Sequence, residues 1–314
     1  MRPIVTITLN PALDLATSVK AVTAGPKLRF TEPKRDPGGG GINVSRVADE
    51  LGGETTTFVV LGGATGNALE ALLRGEGIEP AVFEIDGETR QSLSVSTSQT
   101  GEQYRFVMPG PLWTADTLDR ALVQIRNVTP TGALVVFSGS LPPGVPDDFP
   151  ARLGALLKDC DLIFDMSGAA LERFASSQLN PFILRMDSGE GEMLHGGPLA
   201  TAQDTARFAR SLVDRKAAQA VFIARGAEGS VLATAEGAWL VHAAKVPVDS
   251  KVGAGDSFVG AMAYALSQDM PLIEALQLGA AAASATVTTP ATDLCSSKMI
   301  YDLLSQCTIE PLDA

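Results

Sequence analysis

The run Val252-Gly253-Ala254-Gly255-Asp256-Ser257 sets two glycines and an alanine ahead of a single carboxylate, and an apolar, helix-like stretch, Phe258 to Leu266, follows it. The pattern predicts a tight turn that opens a helix. Such a turn aims several backbone N–H groups at one point and adds the positive end of the helix dipole, so it binds a phosphate or a developing anion. A carboxylate at the same mouth can take the proton of a hydroxyl that attacks that phosphate. The chemistry this spacing suits is phosphoryl transfer to an alcohol. Six residues of this kind also make an ordinary turn with a capping aspartate, so the rest of the chain has to choose between the two.

Two further glycine turns bear on the choice. Gly38-Gly39-Gly40-Gly41 precedes Ile42-Asn43-Val44, which predicts a helix from Ile42 with Asn43 in its first turn, its amide available to hydroxyls. Gly62-Gly63-Ala64-Thr65-Gly66 follows the apolar run Phe58–Leu61. Each alone reads equally well as a surface loop. Three strand-to-helix turns with little side-chain bulk predict a crevice at the carboxyl ends of parallel strands, where α/β folds place ligands. Asn10-Pro11-Ala12-Leu13-Asp14 ends the first strand, and Asp14 there can accept hydrogen bonds from sugar hydroxyls or serve a plain turn. Lys27, Arg90 and Arg105 fall in two β-like pieces. A phosphate already on a sugar needs such cations, although each taken singly reads as solvated surface charge.

The elements that position these residues alternate. Apolar runs at Ile4–Leu9, Thr57–Leu61, Ala133–Phe137, Leu162–Phe164, Phe182–Leu184 and Ala220–Ala224 read as buried strands. Amphipathic stretches at Ile42–Leu51, Ala68–Leu73, Ala206–Val213 and Leu272–Leu278 read as helices between them. The expectation is an α/β fold: a doubly wound, mostly parallel sheet with helices on both faces. Ser92–Ser98 and Gln103–Met108 alternate around a turn and predict a hairpin, and residues 12–35 lack a helix. These pieces are expected to form a small β-sheet lid that excludes water from a transfer site, a dimer contact, or both. The expected division is a core of 1–11, 36–87 and 109–314 with a lid of 12–35 and 88–108.

Composition narrows the function classes. The 314 residues are 45% hydrophobic, enough for one large core. A net charge of −12 argues against nucleic-acid partners, which need a basic face, and leaves room for a small anionic substrate in a local basic pocket. No apolar run approaches the roughly 18 residues of a membrane span. The opening Met1-Arg2-Pro3-Ile4-Val5 lacks a signal-peptide layout, and three cysteines (Cys160, Cys295, Cys307) fit reduced thiols, so a cytoplasmic location is expected. His195 and His242 have no ligand-spaced partners, and neither a P-loop nor a zinc motif is present.

Taken in order along the chain, the segments Leu9–Asp14, Gly38–Val44, Gly62–Gly66, Thr89-Arg90-Gln91, Gly101–Gly110, Ser138-Gly139-Ser140-Leu141-Pro142-Pro143-Gly144 and Val252–Ser257 resemble the ribokinase-like (PfkB-type) carbohydrate kinases. Within them the chain looks most like the minor bacterial 6-phosphofructokinases, with 1-phosphofructokinases and tagatose-6-phosphate kinases as near relatives. The resemblance implies an α/β core with a β lid and a homodimer formed through the lid. It implies Asp256 as the base and the backbone of Gly253, Ala254 and Gly255 as the anion hole. It gives Asp14, Gly39, Gly40 and Asn43 to the sugar hydroxyls. Lys27, Arg90 and Arg105 would hold the sugar's phosphate, with Ser138 and Gly139 near it. ATP as phosphoryl donor and Mg²⁺ are implied, the latter through Glu190, and some relatives bind a monovalent cation.

The departures from that pattern fall on the donor side. The family's Lys-Pro-Asn-x-x-Glu reads Arg185-Met186-Asp187-Ser188-Gly189-Glu190, its Ser-x-Gly reads Ala224-Arg225-Gly226, and Lys251 replaces a common Thr. A loop that normally carries Asn and Gly reads Thr289-Pro290-Ala291-Thr292-Asp293. Arg185, Asp187, Arg225, Gly226 and Lys251 are therefore the expected donor-binding set. Lys251 and Arg225 would add positive charge for a donor phosphate or replace the monovalent cation, and Asp187 would repel a nucleotide unless a metal offsets it. The expected reaction is transfer of the terminal phosphoryl of ATP to fructose 6-phosphate. Fructose 1-phosphate or tagatose 6-phosphate as acceptor, another nucleotide or pyrophosphate as donor, and a sugar-phosphate-binding protein that has lost transfer are the alternatives.

Overall fold

The computed structural model describes residues 1–313. A ten-stranded sheet runs through the molecule. Its central strands are β1 (Ile4–Thr8), flanked in the sheet by β4 and β8, whose ranges follow with the rest in chain order: β2 (Ala12–Val19), β3 (Lys34–Gly38), β4 (Thr55–Leu61), β5 (Ala81–Glu84), β6 (Arg90–Thr97), β7 (Gln103–Val107), β8 (Leu134–Ser138), β9 (Asp161–Asp165), β10 (Ile183–Met186), β11 (Ala220–Ala224), β12 (Gly229–Thr234), β13 (Gly237–His242) and β14 (Ile309–Leu312). The large sheet has the order β14-β13-β12-β11-β10-β9-β8-β1-β4-β5. Strands from β11 to β5 are parallel, and β12, β13 and β14 add antiparallel at one edge.

The parallel strands at the centre of the sheet, β1 and β8, are mainly apolar and buried along their length, as burial of both sheet faces requires. Alternate residues feed two cores. Val5, Ile7, Val135 and Phe137 pack under α3 (Ala115–Val128), α4 (Phe149–Leu156), α5 (Gly168–Ala175) and α7 (Ala202–Asp214), whereas Ile4, Leu134 and Val136 pack under α1 (Gly40–Glu50), α8 (Ala254–Ser267), α9 (Leu272–Thr286) and α10 (Ser297–Leu304). The remaining helices are α2 (Gly63–Gly75) and α6 (Ser188–His195). The doubly wound expectation holds. Helix α1 starts at Gly40, earlier than the expected Ile42, because Gly39 at φ 138° supplies the turn that a side chain would resist.

A separate four-stranded sheet has the order β3-β2-β6-β7. β2 and β6 are parallel and the outer pairs antiparallel, so the sheet is mixed. β3 carries the sheet to Gly38, beyond the expected edge at residue 35, because its register with β2 continues to Ala12↔Gly38. Winding direction reverses between β1 and β8, and the crevice at their carboxyl ends is where the small sheet, the α1 turn and the α8 turn converge.

Candidate active site

Gly253 caps α8 in the left-handed conformation, φ 76°, which favours glycine. Ala254, Gly255 and Asp256 form the first turn of the helix, so their N–H groups lack intrahelical partners. Asp256 stands half-buried at this mouth, and Asn43 Nδ2, from the first turn of α1, donates to its Oδ2 at 2.8 Å. Burial, then the nearby charge of Asp165, lifts the Asp256 carboxyl to about 7; the Asn43 bond and Arg185 pull the other way. A carboxylate near neutrality suits a proton acceptor at neutral pH.

Beside the turn lies a charged relay across three strand ends. Arg185 at the end of β10 sends Nη1 to Asp165 Oδ1 at 2.8 Å, and Ser138 at the end of β8 donates to Asp165 Oδ2 at 3.0 Å. Asp165 is in register with both. The guanidinium reaches over the backbone of the α8 turn: a Cβ on Gly255 would sit 2.8 Å from Arg185 Nη2. Burial works against the charge of Arg185, but Asp165, then Asp256 and Glu190, hold its pKa above the usual range. Ser138, expected beside the sugar's phosphate, is buried and gives its hydroxyl to Asp165. The N–H of Gly139 goes to Asp165 O at 3.0 Å. The exposed hydroxyl of that turn is Ser140, which accepts from Asn10 Nδ2 at 3.1 Å.

The small sheet brings Asp14, Arg90 and Arg105 together. Burial raises Asp14 to about 6, with Arg105 and Arg90 opposing and Asp36 reinforcing. Arg90 is fixed by Nε and Nη2 on Asn10 O, at 3.1 and 3.0 Å. Lys27 lies exposed on the loop between β2 and β3, outside this charge cluster. In the Gly38–Gly41 run the missing side chains make room for the protein's own: Gly38 abuts Asp14, and Gly40 abuts Ser138.

On the other side of Asp256 a cavity of about 960 Å³ opens, bounded by Arg185, Asp187, Gly226, Lys251, Gly255 and an apolar wall that includes Val246, Ala283 and Val287. Arg225 does not serve it. Its guanidinium is 10% exposed and commits itself to Glu228, Leu199 O, Ala200 O and Thr205 Oγ1, while its neighbours Ala224 and Gly226 line the cavity wall. Asp187 is also more than a repulsive charge. It caps α6, with Asp187 Oδ1 accepting from Glu190 N at 2.8 Å and Glu190 Oε2 from Asp187 N at 2.7 Å. Burial raises Glu190 to about 7. Among the described residues no group of three or more His, Cys, Asp or Glu side chains could hold a metal ion alone. Mg²⁺ characteristically takes one or two carboxylates, waters and substrate phosphates, and Glu190 with Asp187 beside the cavity fits that mode.

The third glycine turn is already filled. Glu88 accepts from Ala64 N and Thr65 N at 3.2 and 3.1 Å at the start of α2, and Thr89 Oγ1 accepts from Gly62 N at 2.9 Å. The protein's own carboxylate thus takes the free N–H groups of this turn. Sequence reasoning also passed over Asp165 and Asp36. Asp165 had one signal, a lone acid at the carboxyl end of the apolar run Leu162–Phe164. No helix of the described residues is long and apolar enough to cross a membrane.

The chain is similar to proteins of known activity. The profile of the pfkB family carbohydrate kinases matches residues 7–299. The ATP-dependent 6-phosphofructokinase isozyme 2 of Mycobacterium tuberculosis is 39% identical over 295 residues, covering 93% of this chain and 86% of that protein. The isozyme 2 of Escherichia coli K12 is 38% identical over 308 residues, covering 96% and 99%. Crystal structures of phosphofructokinase-2 from E. coli superpose with a TM-score of 0.90 in complex with fructose 6-phosphate, at 35% identity, and 0.91 in complex with potassium, at 36%. Each covers 97% of this chain and 99% of the other.

Proposed function

Because the chain belongs to the pfkB family of carbohydrate kinases, we propose that this enzyme transfers the terminal phosphoryl group of ATP to the 1-hydroxyl of fructose 6-phosphate. The observation that carries the reading is Asp256, raised to about 7 and held by Asn43 at the open N-terminus of α8, between the Asp14–Arg90–Arg105 cluster and the cavity. Fructose 6-phosphate lies on the small-sheet side. Asp14 takes its hydroxyls, and Arg90 and Arg105 take its phosphate, with Ser140 at the same mouth. ATP fills the cavity with its phosphates toward Arg185 and Lys251. As the 1-oxygen bonds to the terminal phosphorus, its proton passes to Asp256. The bond to the bridging oxygen breaks, and the electron pair leaves with ADP. The N–H groups of Ala254 and Gly255 and the Arg185 guanidinium stabilise the charge on the transferred group. Mg²⁺, held by Glu190 and Asp187 through the donor phosphates, would neutralise part of the donor's charge.

Two finer statements belong to this reading. The E. coli relative was crystallised with potassium, and of the two cations that stand in for a monovalent ion in the sequence pattern, Arg225 is committed elsewhere. The reading therefore includes a monovalent cation, tested by a potassium titration of turnover. The small sheet and its adjoining segments expose Phe30, Tyr104, Phe106, Val107 and Met108, which supports a homodimer formed through the lid, tested by sedimentation of a Phe106→Asp variant. For the reaction itself the test is a matrix of fructose 6-phosphate, fructose 1-phosphate and tagatose 6-phosphate against ATP, other nucleotides and pyrophosphate, scored by bisphosphate formed. Highest kcat/KM for fructose 6-phosphate with ATP is expected; a higher value for any other pair overturns the assignment.

A further inference from the structure

Lid strand β3 is fastened to the loop after α9 by side chains that the transfer chemistry does not use. Asp36, buried in β3, accepts a hydrogen bond from Thr292 Oγ1. Its other oxygen lies 3.0 Å from Lys34 Nζ, and the same ammonium contacts Asp293. Thr292 and Asp293 belong to a loop that leans on the turn ahead of Asp256. Ser250 Oγ donates to Ala291 O at 2.7 Å and accepts from Val252 N at 3.2 Å, while Asp249 N and Ser250 N both reach Val287 O. Leu294 packs onto Gly253 so closely that a Cβ there would fall 2.7 Å from Leu294 Cδ2. At the opposite end, Asp36 faces Asp14 directly in the β2–β3 register.

These contacts make one path: Asp14 on the acceptor side, Asp36, Thr292, Ser250, then the Gly253 turn of the anion hole. A buried carboxylate with a hydroxyl donor is a two-state contact, made or broken, because neither group tolerates burial without a partner. Any displacement of β3 would therefore be felt by the loop that packs on the Gly253 turn. We propose that Asp36 and Thr292 are positioning residues that couple the two halves of the site, so that fructose 6-phosphate and the nucleotide each bind more tightly when the other is present. The coupling rests on the function proposed above for its two ligands. Lys34 is half-exposed, and its ion pairs are screened, so it contributes the smaller share.

Calorimetric titration of fructose 6-phosphate, with and without a saturating non-hydrolysable ATP analogue and Mg²⁺, reads the coupling. Wild type is expected to bind the sugar phosphate about tenfold more tightly with the analogue present, the scale of one hydrogen bond to a charged group. Thr292→Val brings that ratio to within about twofold of one and lowers kcat more than it changes the KM for the acceptor. Thr292→Ser, which keeps the hydroxyl, retains the wild-type ratio, and Lys34→Met keeps most of it. A Thr292→Val protein with the wild-type ratio overturns the proposal, as does a wild type that binds both ligands independently. A Thr292→Ser protein that loses the ratio along with Thr292→Val also overturns it, since packing and not the hydroxyl would then be responsible. A wild type that binds no fructose 6-phosphate is a different failure, which removes the sugar-phosphate reading itself and the coupling with it.

Discussion

Asn43 and Asp256 lie 213 positions apart in the chain and meet across 2.8 Å, amide nitrogen to carboxylate oxygen. Arg46, one turn on in α1 and paired in turn with Glu76, approaches Asn43 Oδ1 at 3.4 Å and so turns the amide's N–H side toward Asp256. The sequence pattern assigned Asn43 to sugar hydroxyls; in the structure its amide N–H is engaged with the Asp256 carboxylate, a contact that orients that group. Its bond lowers the Asp256 pKa against the pull of burial. Asn43→Ala is therefore expected to move the acid limb of kcat/KM to higher pH. Activity at pH 7 falls by about tenfold, the scale of one hydrogen bond to a charged group, and recovers in part above that limb. A pH–rate profile that drops uniformly without moving would assign Asn43 to substrate alone.

Asp256→Asn removes the base and keeps its shape. A fall in kcat of about 10²–10⁴ is expected at pH 7.5, with acceptor binding little changed. The same substitution has a stabilising side. Burial raises the folded-state pKa to about 7 from an ordinary value of 3.8, so folding favours the protonated carboxyl. The stability this group contributes is full below about pH 4 and is lost as pH rises through 7. The asparagine variant is thus expected to melt about 2–4 °C above wild type at pH 8 and alongside it at pH 4, as read by calorimetry. Near-wild-type turnover would remove Asp256 from the mechanism, and a lower melting point at pH 8 would show that its carboxylate is not destabilised by burial.

How far the sequence carried depends on the range of the interaction. β1 and β8 are near-continuous apolar runs whose burial on both faces follows from composition, and the hairpin around Gly101 follows from alternation. The Gly253 turn was legible because backbone conformation is encoded locally, in the glycine itself. Asp165 has only the weak local signal of an acid closing an apolar run; its meaning comes from being in register with Ser138 on one side and Arg185 on the other. Glu88 closes on an α2 terminus more than twenty residues back, so the Gly62–Gly66 turn looked open when it is filled. In each case the misreading came from a partner that only the tertiary fold supplies.

Arg90 is held on Asn10 O by two of its nitrogens, which points the rest of the guanidinium into the space between Asp14 and Arg105. Its fixed fork matches a phosphate. Arg90→Ala is expected to raise the KM for fructose 6-phosphate by about 10- to 100-fold and to change kcat by less than about threefold, the signature of an interaction made equally in ground and transition states. Steady-state kinetics decide it, and an unchanged KM would show that the lid cations hold something else.

Arg185 and Arg225 look equivalent in the sequence, each an arginine at the end of a donor-side strand, yet the structure separates them. Arg225 satisfies Leu199 O, Ala200 O, Thr205 and Glu228, tying the β11 end to the first turn of α7 and the segment ahead of it. Arg185 has a single carboxylate partner, Asp165, and lies against the backbone of the α8 turn at Gly255. Arg225→Ala would leave two part-buried acceptors, Leu199 O and Thr205 Oγ1, without this donor, so a loss of about 1–3 kcal/mol in stability is expected, with the KM for ATP and kcat held within about threefold. Arg185→Ala should do the reverse. It strips positive charge from the developing transition state and is expected to lower kcat by about 10²–10³, the scale of a lost oxyanion donor. Arg185→Lys should recover part of that loss, because a lysine keeps the charge but not the fork that spans Asp165 and the turn. Urea unfolding alongside steady-state kinetics on both variants tests the division. If Arg225→Ala loses turnover at full stability while Arg185→Ala loses only stability, the two roles are reversed.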